Sequence, residues 1–200
     1  MKNLITKRIT LKLWKILLPA VILLLPVACS VSQFVPAAGA ESENRYAIIR
    51  TDTLMIVIKP QSYPGSYQEI NNRFFSLYIS IKNKSGQRVK LQQGSFSILC
   101  RQKQYDPIPV DYILADLERK MMLKDISNPF ADNVFSYNIA ERDKEQEMYY
   151  ELVNTAFPWG ELLPGGIKDG YLFYNKDIAA ANNFVIDVLG HSVTFQKTKG

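Results

Sequence analysis

Histidine is almost missing from this sequence: His191 stands alone among 200 residues. Cysteine occurs twice, at Cys29 and Cys100. A zinc site draws three or four closely spaced ligands from Cys, His and carboxylates, and the chain has no such cluster. It has no calcium-loop or P-loop spacing, and no G-x-S-x-G elbow to present a catalytic serine. Asp187 and Ser192 lie near His191 and would complete a Ser-His-Asp set. Without an elbow, the plainer reading is a solvent-exposed turn histidine. No catalytic residue, metal ligand or cofactor is therefore assigned. Also missing is an uninterrupted apolar run of the roughly 20 residues a membrane-crossing helix needs. No acidic residue precedes Glu41.

What is present begins with a distinctive leader. Lys2, Lys7, Arg8, Lys12 and Lys15 precede an apolar run from Ile16 to Ala28. A basic start, a short apolar stretch and small residues after it describe an export signal. Pro19 and Pro26 weaken a membrane-helix reading, because proline lacks the amide hydrogen that a helix interior uses. Two processing sites follow. "LLPVAC", residues 24–29, resembles the lipobox of bacterial lipoproteins, an aliphatic residue and two small ones before the cysteine that is lipidated. Val27, Ala28 and Cys29 match it; Leu25 lies one place upstream of the usual position, and Pro26 stands where leucine is usual. The second site is "AGA", 38–40, an A-x-A pattern for cleavage before Glu41. Its distance from the apolar run favours the lipobox, and an uncleaved leader acting as an anchor is a third route.

The lipobox resemblance implies acyl chains on Cys29. Two or three such chains anchor stably, at about 0.8 kcal/mol per buried methylene. It also implies a cell-envelope address. Ser30, a non-aspartate after the cysteine, implies the outer membrane of a diderm cell; in a monoderm cell the lipid would hold the outer face of the plasma membrane.

The formal net charge of +5 belongs to the leader. Of 24 basic residues, five precede Cys29, leaving 19 against 19 acidic. The processed chain is therefore neutral, and no nucleic-acid partner is expected. A basic patch could form by folding, but no run of Lys or Arg demands one. With lipid on Cys29, Cys100 has no partner for a disulfide. It ends the alternation Phe96, Ile98, Cys100, which reads as a buried thiol behaving as a small hydrophobe.

Residues 1–28 are thus a lipoprotein signal peptide. Residues 29–44, small and polar without periodicity, read as a flexible tether. Residues 45–200 form one domain, long enough to bury about 70% of its unfolded surface. "YAIIRTDTLMIVIKP", 46–60, is β-branched and broken at Asp52, giving two short strands or one bent strand. "RFFSLYISIKN", 73–83, alternates, with Phe75, Leu77, Ile79 and Ile81 on one face and Phe74, Ser76, Tyr78 and Ser80 on the other, and so reads as a half-buried strand. "NKSG" then turns into "QRVKLQQ", predicting a hairpin with Val89 and Leu91 inward. "GSFSILCRQ" is a further strand, and three more lie within 165–175, 182–190 and 192–196. The middle switches to helical spacing. Ile113, Leu114, Leu117 and Met121 line a helix over 110–125, with Asp116 and Lys120 paired on its outside. A second helix spans about 139–155.

In this order the chain resembles the immunoglobulin-like domains of bacterial surface and periplasmic lipoproteins of unknown function. The positions that carry the likeness are Asn83, Gly86, Pro164, Gly165, Gly170, Leu172 and Phe173. The resemblance implies a mainly β fold, an immunoglobulin-like antiparallel β-sandwich with two short helical insertions. It implies no reaction.

Two stretches merit a functional reading. Glu141, Asp143, Glu145, Glu147 and Glu151 crowd the second helix, where a carboxylate pair would suit an envelope hydrolase, although Arg142 and Lys144 between them favour a solvated face. Tyr149, Tyr150, Phe157 and Trp159 are a candidate protein-binding patch, since large amphipathic rings dominate interface hot spots; packing of the helix onto the sheet is the competing use. The expectation is a lipid-anchored, non-catalytic binding or assembly module with an envelope protein as partner. The alternative is a hydrolase acting through 141–151 or the His191 region.

Overall fold

The computed structural model describes residues 33–43, 45–127 and 134–198, without the side chains of 120–127, 134–142 and 145. The leader, Cys29, Met121, Lys120 and Ile139 lie outside the described residues or side chains.

The described chain is mainly β, with two five-stranded antiparallel sheets, a two-stranded sheet and three helices. The broken segment at Asp52 becomes a hairpin, β3 (Tyr46–Arg50) against β4 (Leu54–Pro60). Thr51 closes its turn: the hydroxyl accepts the Leu54 amide at 2.9 Å, and such local bonds are why threonine favours turns. β5 (Phe74–Asn83) pairs with β4 on one side and with β10 (Ile167–Asn175) on the other. With β2 (Ser42–Glu43) outside β3, these strands make the first sheet, ordered β10-β5-β4-β3-β2.

The second sheet runs β1-β12-β11-β7-β8. Its β7 (Phe96–Cys100) turns into β8 (Lys103–Tyr105), and β11 (Asn183–Val188) into β12 (His191–Lys197). Leu189 at φ 55° and Gly190 at φ 79° bridge the latter pair, the two left-handed positions that match hairpin twist. The inner faces of both sheets share one core. Phe75, Leu77, Ile79 and Ile81 of β5 are buried there with Phe96, Ile98, Phe184 and Ile186. Burying each such side chain stabilises by about 1.5–3 kcal/mol. Cys100 is buried in the same cluster, as its alternation predicts.

Four expectations are corrected. First, the tether of residues 29–44 is too long, because β1 (Phe34–Pro36) lies beside β12 with Phe34 opposite Lys197. Phe34 packs edge-on to Phe75 and Phe184 at 5.7 and 5.0 Å, so residues 34–36 belong to the folded unit. Strands of three and two residues carry too little periodicity to read from sequence. Second, β6 (Val89–Leu91) does not fold back on β5. It pairs with β9 (Gly160–Leu162), although Leu91 still faces the core.

Third, the outer face of β5 is not left to solvent. Phe74 and Ser76 are buried because a helical layer covers that end of the sheet. Helix α1 (Glu69–Arg73), unforeseen and only five residues long, supplies Ile70; α2 (Val110–Ser127) supplies Ile113, Leu114 and Leu117; α3 (Val134–Thr155) supplies Leu152. Tyr63, Tyr67, Tyr171 and Phe173 complete this second cluster. Fourth, Asp116 is not on the outside. Its carboxylate is largely buried, bonded to Arg73 of α1 and to Arg119 at 2.7 Å.

Tyr174, fully buried between the sheets, has no hydrogen-bond partner for its hydroxyl among the described residues. An unsatisfied buried hydroxyl costs stability that a matching apolar ring avoids. Tyr174→Phe is therefore expected to raise stability by about 0.5–1 kcal/mol in urea titration. Burial also pushes up the phenol groups of Tyr63, Tyr171 and Tyr174, and Tyr78, desolvated and bonded to Asp169, is raised to about 12. Above pH 10 the unfolded chain releases these protons first. Their contribution is intact below pH 10 and is lost as pH rises toward 12. The midpoint should fall between pH 9 and pH 11, and fall less in Tyr174→Phe.

Candidate binding surface

The four aromatic residues of 149–159 do not share one surface. In the last turns of α3, Leu152 points into the second cluster and Tyr149 packs partly against it. Tyr150 and Val153, three apart and so on one helical face, are exposed, Tyr150 by 63%. The chain then leaves the helix and bridges the free edge of β10, where the Phe157 amide donates to the Tyr171 carbonyl at 3.0 Å. Phe157 enters the first core, with ring centroids 5.5 Å from Phe96 and 5.1 Å from Trp159. Trp159 is half-buried against that core. Of the four, Tyr150 alone presents most of its ring to solvent.

The acidic helix is likewise put to structural use at its end. Glu151 accepts the amide of Ser66 at 2.8 Å and also its hydroxyl. The Tyr63 hydroxyl meets Thr155 at 3.1 Å, and Asn71 bonds both backbone groups of Tyr63 at 2.7 and 2.8 Å. These bonds fasten the 61–68 loop over the helix, which buries Tyr63 and Tyr67. Asp143 and Glu147 are exposed, while the side chains of Glu141 and Glu145 lie outside the description. Near His191, the Ser192 hydroxyl donates straight to Asp187 at 2.8 Å, and the other Asp187 oxygen accepts the Gly190 amide at 3.1 Å. In a triad the imidazole stands between those two groups; here both carboxylate oxygens close the hairpin turn. Among the described residues, no group of three or more His, Cys, Asp or Glu is placed to hold a metal. No described helix is long and apolar enough to cross a membrane.

A surface that the sequence reading missed lies where β5 ends. Asn83 is fully buried there. Its amide nitrogen donates to the carbonyls of Gln87 and Leu162 at 2.7 and 3.1 Å. Its oxygen accepts the Ser85 amide and hydroxyl at 2.9 and 2.7 Å. Its backbone bonds Gly166 and Gly165, each at 3.0 Å. One side chain thus joins the 83–87 turn to the 162–166 loop, and Gly165 supplies the left-handed φ of 74° that the loop needs. An amide committed in this way has no hydrogen free for the N-x-S glycosylation that "NKS" suggests.

On this support Leu163, Pro164 and Ile167 are exposed, Leu163 by 53% and Ile167 by 58%. The signal was present in "LLPGG". Two adjacent leucines in extended backbone face opposite ways, and Leu162 takes the core. The 10-residue β5 sets this tip about 30 Å from the end where β1 begins.

Comparison of the chain with protein-family patterns, with curated protein sequences and with solved structures finds no match.

Proposed function

We propose that this chain is an exported lipoprotein, held in the cell envelope by acyl chains on Cys29, whose immunoglobulin-like β-sandwich acts as a non-catalytic binding or assembly module. The observation that carries the binding reading is the tip: large apolar side chains exposed at Leu163, on a loop held from beneath by Asn83, and at Ile167, where β10 begins. Apolar groups on a rigid support suit a protein partner, because little ordering entropy is lost on docking. Two antiparallel sheets over one core support the sandwich reading. The position of β1 supports processing at Cys29. Cleavage after Ala40 would remove Phe34 from the core and strip β12 of its neighbour.

Both halves can be tested in the producing cell. Intact mass should show a chain starting at Cys29 with two or three acyl groups, and Cys29→Ala should be unprocessed or released from membranes. An unlipidated start at Glu41 would overturn the anchor. A photo-reactive residue at position 163 or 167 should give one protein adduct that Leu163→Asp or Ile167→Asp suppresses at the other position. The same probe at Leu99, which is comparably exposed on the second sheet, should give none. Equal labelling from all three positions would remove the tip as the binding surface.

A further inference from the structure

We propose that the end of the domain from which the chain departs toward Cys29 is a docking face for an anionic phospholipid surface. The inference rests on the lipid-anchored reading and adds how the domain stands on the membrane.

The first support is length. Gln33 is fixed to the fold: its carbonyl accepts the Thr198 amide at 2.7 Å, and its side chain accepts from Arg45. Ser30, Val31 and Ser32 alone separate it from Cys29. Four fully extended steps reach about 14 Å. The headgroup zone on each side of a bilayer is itself about 5–7 Å deep. A domain tethered at Cys29 therefore cannot lift this end much beyond the roughly 8 Å over which charges act at physiological salt. The Asn83 tip, about 30 Å away along β5, stays outside that range.

The second support is charge. The processed chain is neutral, yet folding brings Arg45, Arg101, Lys103 and Lys197 to this end. Lys197 lies opposite Phe34 in the β1–β12 ladder, and its Nζ donates to the Ala179 carbonyl at 2.9 Å. Arg101 donates to the next carbonyl, that of Ala180, at 2.7 Å. Lys103 sits opposite Cys100, whose Sγ approaches the Asn183 carbonyl. The uncharged segment Ala179–Asn182 lies among these cations, and carbonyl acceptors orient the cations without neutralising them. The acidic residues near this end include Glu43, two places from Arg45, Asp177, which follows Lys176, and Asp106, which accepts from Gln104 beside Lys103.

The β7–β8 turn strengthens the case. Arg101 and Gln102 both adopt left-handed φ, 50° and 62°, where Asn-Gly would be the unstrained choice. This turn holds Arg101 exposed at the same end as the other cations. Near an anionic surface each cation strengthens association roughly fivefold, and salt weakens the effect.

The test uses the full chain, expressed and processed in a bacterium and reconstituted into two kinds of vesicle. One is phosphatidylcholine alone; the other is phosphatidylcholine with about a third phosphatidylglycerol. Acylation of Lys103 by an amine-reactive ester is read by mass spectrometry against Lys90, an exposed residue of β6 beside the tip. The expected result is Lys103 labelling at least threefold slower on the anionic vesicles at low salt, restored at 0.5 M NaCl, with Lys90 unchanged. Arg45→Glu with Arg101→Glu should abolish the protection while the protein still floats with the vesicles. Equal Lys103 labelling on both vesicles, with the protein floating, overturns the docking face and leaves the anchor standing. Failure to float with either vesicle means that Cys29 carries no lipid, which overturns the anchored reading and this inference with it.

Discussion

Gly170→Ala is expected to lower the melting temperature by roughly 10 °C, a loss of about 3 kcal/mol. Gly170 lies in β10 beneath the segment that leaves α3. A Cβ there would meet the carbonyl carbon and oxygen of Ala156 and the Cα of Phe157, all at 2.8 Å. These are backbone atoms, so no rotamer change relieves the overlap. The bridging segment must move away, and with it go the bond from the Phe157 amide to the Tyr171 carbonyl and the seat of Phe157 and Trp159 against Phe96. Trp159 emission should therefore shift to longer wavelength before global unfolding. Gly86→Ala is the matched control: an added Cβ there meets nothing within 4 Å, and the change should leave the midpoint within about 0.5 kcal/mol. A Gly170→Ala protein melting with the wild type would show that the bridging segment has slack that the packing denies.

The contrast between these two glycines bears on what a sequence can reveal. Both belong to the immunoglobulin-like resemblance, yet one sits against the backbone of a bridging segment and the other on an open turn. Local pattern located the elements well where neighbours in sequence are neighbours in space. The inner face of β5 and the apolar stripe Ile113, Leu114, Leu117 follow from side-chain period, and of the two readings left open at Asp52, two short strands or one bent strand, the fold takes the first, as a hairpin. Partners that lie far apart in sequence left no such trace. The mate of β6 is β9, with both long helices between them, so "NKSG" read as a hairpin turn although it folds toward a loop some 80 residues away. Burial of Phe74 and Ser76 depends on helices that alternation in β5 cannot register.

The candidate site shows the same division. Aromatic content drew attention to 149–159, but composition does not say which ring faces inward. Phe157 and Trp159 go to the core because the chain leaves α3 toward β10. The tip at 163–167 carried only the paired leucines of "LLPGG" as a signal, which do not say what holds the loop. It becomes a surface through the arrangement beneath it, and that arrangement turns on one amide.

Asn83→Ala is expected to cost about 3 kcal/mol in urea titration, with the damage concentrated at the tip. The truncation deletes two donors and an acceptor from a site with no exposure. The carbonyl of Leu162 and the amide of Ser85 lose partners at 3.1 and 2.9 Å, and a buried group left unpaired costs about 1–3 kcal/mol. Asn83→Asp should be no better. It keeps the acceptor but turns two donors into lone pairs facing the carbonyls of Gln87 and Leu162, with a charge added in a buried place. Amide exchange should quicken across 83–91 and 160–166, the segments that Asn83 joins, while β11 and β12 keep their protection. Loss of the loop's support should also abolish the adduct from position 163 in protein that remains folded. If Asn83→Ala instead keeps both its stability and its adduct, the tip is held by the β6–β9 pairing and by Leu162 in the core, and the amide is a passenger.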